Sequence, residues 1–201
     1  LGEGCKLALH SMNDLLSQFN CIKHMMSHVP VECHEALFRR RDISVLLLHR
    51  INLLKQAVSV EISRQAREWN QKPDAAETLR SHRYQAIPLQ RVRQQMRKHS
   101  DHRVAFRNLL DTTGAQYLDL IYESLYGDDI PLKARLDRVE EILRIAGYDP
   151  SPLRQEPIIT LLSERLSPKR KTAGEDVYRR VPNIDDIERE LGCHETGYLF
   201  S

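Results

Sequence analysis

The run Ser44–Val60 joins two different hydrophobic patterns. A continuous block of apolar residues comes first, the polar pair His49 and Arg50 follows, and helical spacing of apolar residues starts at Asn52. A continuous apolar block is typical of a buried parallel strand, whereas the later spacing is typical of a helix. The pattern therefore predicts a strand over Ser44–Leu48 whose carboxyl end delivers Arg50 to the start of a helix.

The same spacing predicts further elements along the chain. The predicted helices are Met12–His28, Asn52–Trp69, Pro88–Leu110, Leu132–Ala146, Ile158–Leu166 and Ile184–Leu191, and the predicted strands are Cys5–His10, Ser44–Leu48 and Tyr117–Tyr122. A break of the third helix near Ser100–Asp101 is left open. Strands that alternate with helices indicate a helix-rich α/β fold with a parallel sheet flanked by helices.

Composition is that of an ordinary soluble globular domain. The 201 residues are 41% hydrophobic and 29% charged, and 30 basic against 28 acidic residues give a net charge of +2. This balance does not indicate nucleic-acid binding. No apolar stretch is long enough to span a membrane, and no signal peptide is visible, so we expect a cytoplasmic protein.

Cysteines and histidines give no strong metal pattern. The four cysteines lack a Cys-x-x-Cys pair, and we expect reduced thiols. A zinc site could be drawn from residues in the first third of the chain, namely Cys21, His24, His28, Cys33 and His34. Because the paired cysteine anchor is absent, we predict no metal site.

Arg50 and Ser59 are the candidate binding residues in the Ser44–Val60 run. Ligands of open α/β sheets collect at the carboxyl ends of the strands. A guanidinium forks onto two phosphate oxygens, and a helix hydroxyl donates a further hydrogen bond. The alternative is an ordinary strand-to-helix junction in which Arg50 meets a surface carboxylate.

Several stretches together resemble one enzyme family. They are LLLHRINLLKQAVS at Leu46–Ser59, YLDLIYESLYGD at Tyr117–Asp128, and the basic run with its closing helix at Ser167–Phe200; GCKLALH at Gly4–His10 precedes them. In this order they are similar to the carboxyl-terminal two-thirds of sulfotransferases that use 3′-phosphoadenosine 5′-phosphosulfate (PAPS). The likeness is greatest to the bacterial and carbohydrate-directed branch.

The resemblance implies a fold and a set of site residues. The fold would be like that of P-loop nucleoside-triphosphate hydrolases, as a single domain over 1–201 in which 167–201 form a basic loop and a closing helix. Arg50 and Ser59 would bind the 3′-phosphate of PAPS. The basic residues that would close over the nucleotide are Lys169, Arg170 and Lys171, for which a solvated loop is the alternative.

The sequence also departs from the family. The phosphate-binding arginine is usually next to the Asn or Asp of the turn, where this chain has Ile51. The loop that cradles the 5′-phosphosulfate is not recognisable, since Leu1–Lys6 has glycines but no helix-opening Ser or Thr. We therefore expect an N-terminally incomplete fold. His10, at the end of the first predicted strand, is the candidate catalytic base.

The resemblance implies transfer of a sulfuryl group from PAPS to an acceptor hydroxyl or amine, without a metal. The acceptor would be a small molecule or carbohydrate, with no nucleic-acid partner and no membrane span; the oligomeric state is not predicted. Two alternatives stay open. One is a sulfotransferase-like protein without catalysis, and the other is a helical module whose basic helix Arg91–Arg107 docks an acidic partner.

Overall fold

A computed structural model describes residues 31–67, 75–167 and 174–200. In chain order the described elements are α1 (Val31–Phe38), β1 (Ser44–His49), α2 (Leu53–Ala66), α3 (Ala75–Ser81), α4 (Leu89–Thr113), β2 (Gln116–Ile121), α5 (Tyr122–Tyr126), α6 (Leu132–Ile145), α7 (Glu156–Arg165), α8 (Glu175–Tyr178) and α9 (Ile184–Leu191), with a 3-10 turn at Ser151–Arg154. Helices dominate, and the predicted helix-rich α/β class is confirmed.

The two described strands form a small parallel sheet in the order β1–β2. Near the carboxyl ends of the strands, His49 Nδ1 lies 2.8 Å from Asp119 Oδ1. This side-chain pair joins the ends of the two strands. The chain leaves that edge into α2 after β1, and into α5 after β2.

The described residues belong to two compact units. The first unit contains residues 31–47 and 102–118. Its core consists of buried apolar side chains from α1, β1 and α4, namely Leu37, Phe38, Leu47, Phe106 and Leu110. His34 is also buried there, with its ring centroid 4.6 Å from that of Phe106 in an edge-to-face contact. Aromatic contacts of this kind add to the free energy gained from burial.

The second unit contains residues 48–67, 75–101, 119–167 and 174–200. Its core is larger, and its fully buried members include Leu54, Ile62, Ile87, Ile187 and Leu199. Asn183, which precedes α9, exchanges two hydrogen bonds with the backbone of Ile87, at 2.9 and 2.8 Å. This amide pairing fastens the irregular segment before α4 to the start of α9.

Most predicted elements in the described part of the chain are confirmed, with three differences. The helix α4 is continuous through Ser100–Asp101, so the break considered there is absent. Tyr122 opens a helix rather than ending a strand. The pattern also missed the short helices α1, α3 and α8. The predicted strand Cys5–His10 and the predicted helix Met12–His28 lie outside the described residues.

The expectation of reduced thiols is wrong for Cys33, which is disulfide-bonded, whereas Cys193 is free. Disulfides persist mainly in oxidising compartments, so this bond does not support the cytoplasmic expectation. Its pairing also removes Cys33 from the candidate zinc ligands, and His34 is buried against aromatic rings. Cys21, His24 and His28 lie outside the described residues. Within the described ranges, no group of three metal-ligating side chains comes together.

No helix of the described part of the chain is both long enough and apolar enough to cross a membrane. The longest helix, α4, has 25 residues but a polar composition.

Candidate functional site

The turn after β1 is fixed by a helix cap and by a carboxylate from the neighbouring strand end. Asn52 caps α2, with Oδ1 accepting a hydrogen bond from the Lys55 amide at 2.7 Å. The Glu123 carboxylate accepts hydrogen bonds from the amides of Ile51 at 3.0 Å and Asn52 at 3.3 Å. A negative charge at a helix start is favourable because the first amides point outward. The backbone donors of this turn are therefore already bonded within the protein.

The carboxyl-terminal segment completes this turn. The Leu54 amide donates to the Thr196 carbonyl oxygen at 3.0 Å, and Asn52 Nδ2 donates to the Tyr198 carbonyl oxygen at 2.8 Å. Gly197 has a φ of +84°, and a Cβ there would lie 2.4 Å from Asn52 Cγ. Only glycine fits this close approach without displacing Asn52.

Arg50 follows the last residue of β1, and its side chain lies over an aromatic ring. The guanidinium carbon is 3.9 Å from the centroid of the Tyr122 ring, which stacks on the Tyr126 ring at 4.8 Å. Burial raises the pKa of Tyr126, and the neighbouring Tyr122 adds to the shift. Cation–π contact orients a guanidinium without using its N–H donors.

Arg50 makes no hydrogen bond and no ion pair with any residue of the described ranges. The alternative in which Arg50 pairs with a surface carboxylate is therefore not observed among the described residues. The side chain of Ile51, at the position where the family places its arginine, is 53% exposed. The guanidinium of Arg50 is half-buried, and no described residue accepts a hydrogen bond from it.

Ser59 lies in α2 and is joined to Tyr178 of α8. Its Oγ lies 2.7 Å from the Lys55 carbonyl oxygen and 2.9 Å from the Tyr178 hydroxyl. Burial raises the pKa of the Tyr178 phenol, while the Ser59 hydrogen bond and the positive charge of Arg50 oppose this shift. Tyr178 is thus hydrogen-bonded to Ser59, and the charge of Arg50 acts on its phenol.

Sequence reasoning missed the three tyrosines of this site. Tyr122 and Tyr126 belong to the YLDLIYESLYGD stretch, which predicts a strand and contributes to the family resemblance, and Tyr178 follows the basic run. The remaining predicted site residues lie outside the described part of the chain: His10, Lys169, Arg170 and Lys171.

A cavity of about 370 Å³ lies elsewhere in the second unit. It is lined by Ser81, His82, Arg83, Tyr84, Arg180 and Pro182, and includes neither Arg50 nor Ser59. The candidate binding surface at the strand end is thus distinct from this cavity. The aromatic ring that supports Arg50 distinguishes the candidate site.

Comparison with known families agrees with these observations. The family described as "Stf0 sulphotransferase" matches residues 4–180, a range that includes Arg50, Ser59, Tyr122 and Tyr178 and ends before α9. Comparison with curated proteins and with solved structures gives no match. The family match covers most of the chain, and it indicates sulfotransferase activity in general. The chain belongs to the Stf0 sulphotransferase family.

Proposed function

We propose that this protein transfers a sulfuryl group from PAPS to an acceptor hydroxyl or amine, and that Arg50 and Ser59 bind the 3′-phosphate of the donor. The observation that carries this proposal is the Arg50 guanidinium, which follows a parallel strand, rests on the Tyr122 ring and has no carboxylate partner among the described residues. An unpaired guanidinium at this edge suits a phosphate group.

The described contacts support a specific binding geometry. Tyr122 holds the Arg50 guanidinium from one face, which leaves the N–H groups at the edge of the plane for phosphate oxygens. Ser59 would turn its proton from the Lys55 carbonyl oxygen to the phosphate. The turn amides contribute nothing, because Glu123 already accepts their hydrogen bonds.

The proposed reaction is an in-line displacement at sulfur. The acceptor oxygen or nitrogen forms a bond to sulfur while the bond from sulfur to the bridging phosphate oxygen breaks, and adenosine 3′,5′-bisphosphate leaves. The acceptor proton passes to a general base, for which His10 is our candidate. Positioning and stabilisation of charge contribute most of the rate, as in phosphoryl transfer.

Other predictions from the sequence enter this proposal unchanged. Lys169, Arg170 and Lys171 would close over the nucleotide, and the acceptor would be a small molecule or carbohydrate, without a metal. Both compact units would belong to one sulfotransferase domain, since the family match at residues 4–180 runs through both.

Binding and turnover test the proposal on the chain as it stands. Calorimetric titration is expected to show adenosine 3′,5′-bisphosphate binding about ten-fold or more tightly than adenosine 5′-monophosphate, because only the first has a 3′-phosphate for Arg50. Radiolabelled PAPS with a mixture of sugar and phenol acceptors then reports transfer. Equal affinity for the two nucleotides would refute the donor site, whereas selective binding without transfer would support the inactive alternative.

The helical-module alternative has one observation in its favour. The helix α4 exposes several basic side chains, among them Arg93, Arg97 and Lys98. Replacing these three with glutamine is expected to leave bisphosphate affinity unchanged, since the candidate donor site does not include them. Capture of acidic peptides by the unmodified chain, lost in this variant, would favour the module.

A further inference from the structure

The hydrogen bonds around Ser59 have a defined direction. A serine hydroxyl has one proton, and a carbonyl oxygen only accepts. Because Ser59 Oγ lies 2.7 Å from the Lys55 carbonyl oxygen, the Ser59 proton points there. The Tyr178 hydroxyl, 2.9 Å from Ser59 Oγ, must then be the donor of the second bond. The chain of donors runs from Tyr178 to Ser59 to the helix carbonyl.

The surroundings of Tyr178 keep its phenol protonated. Its side chain is 4% exposed and lies in the core of the second unit. Burial raises the pKa of this phenol above its ordinary value, so the group stays a donor throughout the neutral range. The hydrogen bond to Ser59 places the phenol beside one of the two residues of the proposed phosphate site, and the positive charge of Arg50 also acts on it.

We propose that Tyr178 is a positioning residue that restricts Ser59 to the role of hydrogen-bond donor and thereby contributes to selectivity for the 3′-phosphate. With Tyr178 donating to its oxygen, Ser59 directs its own proton to an acceptor: the Lys55 carbonyl oxygen in the free protein, a phosphate oxygen in the complex. Donation into a hydroxyl also strengthens the bond that the hydroxyl gives. This inference rests on the proposed function.

A purely structural role is the competing explanation. In that case the Tyr178 hydroxyl only fastens α8 to α2, and its loss would lower stability without changing nucleotide selectivity. Tyr84 provides a matched control, because it is also 4% exposed in the same core and donates to a carbonyl oxygen, that of Leu79, at 2.8 Å. Tyr84→Phe removes an equivalent hydroxyl away from the proposed site.

The experiment is a double-mutant cycle measured by calorimetry. Ser59→Ala and Tyr178→Phe are each expected to weaken adenosine 3′,5′-bisphosphate binding about five-fold, as for the loss of one hydrogen bond. The double variant is expected to match Ser59→Ala, because Tyr178 acts through Ser59. Affinity for adenosine 5′-monophosphate stays constant throughout, and Tyr84→Phe leaves both affinities unchanged.

Two results would overturn the inference while leaving the proposed function intact. One is unchanged bisphosphate affinity in Tyr178→Phe when Ser59→Ala binds weakly. The other is a double variant in which the two losses add in full, since Tyr178 would then act independently of Ser59. If the unmodified protein does not distinguish the two nucleotides, the proposed function fails and the inference fails with it.

A spectroscopic measurement covers the case in which Tyr178→Phe does not fold. A variant with both Tyr122→Phe and Tyr126→Phe keeps a ring beneath Arg50 but removes the other two phenols of the site. Saturating bisphosphate is expected to produce a tyrosine difference spectrum in this protein, and none when Ser59→Ala is added to it. If the difference spectrum persists in the Ser59→Ala variant, Tyr178 senses the ligand independently of Ser59, and the inference is wrong.

Discussion

Two arginines of the second unit lack carboxylate partners among the described residues, yet their surroundings differ. Arg135 in α6 is 6% exposed, and its Nη1 and Nη2 donate to the carbonyl oxygens of Leu166 at 2.7 Å and Gly127 at 2.8 Å. Arg50 is half-buried, and its guanidinium lies over the Tyr122 ring without a hydrogen bond or ion pair to any described residue. Arg135 joins two chain segments, whereas the N–H donors of Arg50 are not used by any described residue.

This difference separates a structural arginine from the arginine that we propose as a phosphate ligand. Two backbone carbonyl oxygens accept from the Arg135 Nη atoms without a counter-charge, whereas its buried Nε–H has no hydrogen-bond partner among the described residues. A guanidinium that lies over an aromatic ring keeps its N–H groups available for two oxygens of a phosphate. We therefore expect stability to depend on Arg135 and ligand affinity to depend on Arg50.

The largest expected effect is the loss of stability when Arg135 is removed. Arg135→Ala leaves the buried Leu166 carbonyl oxygen without this donor, removes one of the two donors to the Gly127 carbonyl oxygen and opens a gap in packing, so the free energy of unfolding should fall by about 3 kcal/mol or more. Denaturant unfolding measures this change. The matched control is Arg138→Ala in the same helix, whose partner Glu141 forms a surface pair at 2.7 Å, and it should cost less than about 1 kcal/mol. If Arg135→Ala and Arg138→Ala lose the same free energy of unfolding, Arg135 contributes no more to stability than a surface arginine.

A smaller loss is expected at the turn that holds Arg50. Glu123→Ala leaves the amides of Ile51 and Asn52 without an acceptor and should lower the free energy of unfolding by about 2 kcal/mol. Glu123→Gln keeps one acceptor oxygen and should lose about half as much. Chemical unfolding ranks the stabilities of the unmodified protein, Glu123→Gln and Glu123→Ala. If Glu123→Gln is as unstable as Glu123→Ala, the loss does not come from the hydrogen bonds that the Glu123 side chain accepts.

The buried phenol of Tyr84 predicts a pH dependence of the free energy of unfolding. Burial raises the pKa of Tyr84 to about 12 from the ordinary value of 10.0, while the charge of Arg180 opposes the shift. A raised pKa stabilises the folded state fully below pH 10.0, and this contribution is lost as the pH rises from 10.0 to about 12.

Tyr84→Phe should therefore cost about 1 kcal/mol at neutral pH, for the lost bond to the Leu79 carbonyl oxygen. Its unfolding free energy should then fall less steeply with pH in the alkaline range than that of the unmodified protein. Thermal or denaturant unfolding over this pH range checks the slope. Parallel profiles would mean that the Tyr84 phenol does not differ between the folded and unfolded states.

Local pattern predicted the strand-to-helix unit closely. The strand was expected at Ser44–Leu48 and ends at His49, and Asn52 caps the following helix as its position suggested. Both features depend on neighbouring residues: a continuous apolar block, and a side-chain oxygen that reaches the third amide of the helix. The placement of Arg50 at the strand end follows from them.

The remaining partners of the site arise from contacts between distant parts of the chain. Glu123 is 72 residues from Ile51, and Tyr178 is 119 residues from Ser59. No periodicity reports such pairs, because each depends on how several elements pack. Local pattern is also insufficient at Ser100–Asp101. These two residues are typical of helix starts, yet they lie inside the continuous helix α4.

The most direct test of the donor site is the affinity of Arg50→Ala for adenosine 3′,5′-bisphosphate, measured by calorimetry beside the unmodified protein and Arg138→Ala. The account predicts binding about ten-fold or more weaker in Arg50→Ala, because charged hydrogen bonds to the phosphate are lost, with unfolding free energy within about 1 kcal/mol of the unmodified protein. Arg138→Ala should bind normally. A folded Arg50→Ala protein with unchanged affinity would contradict the assignment of this strand end as the 3′-phosphate site.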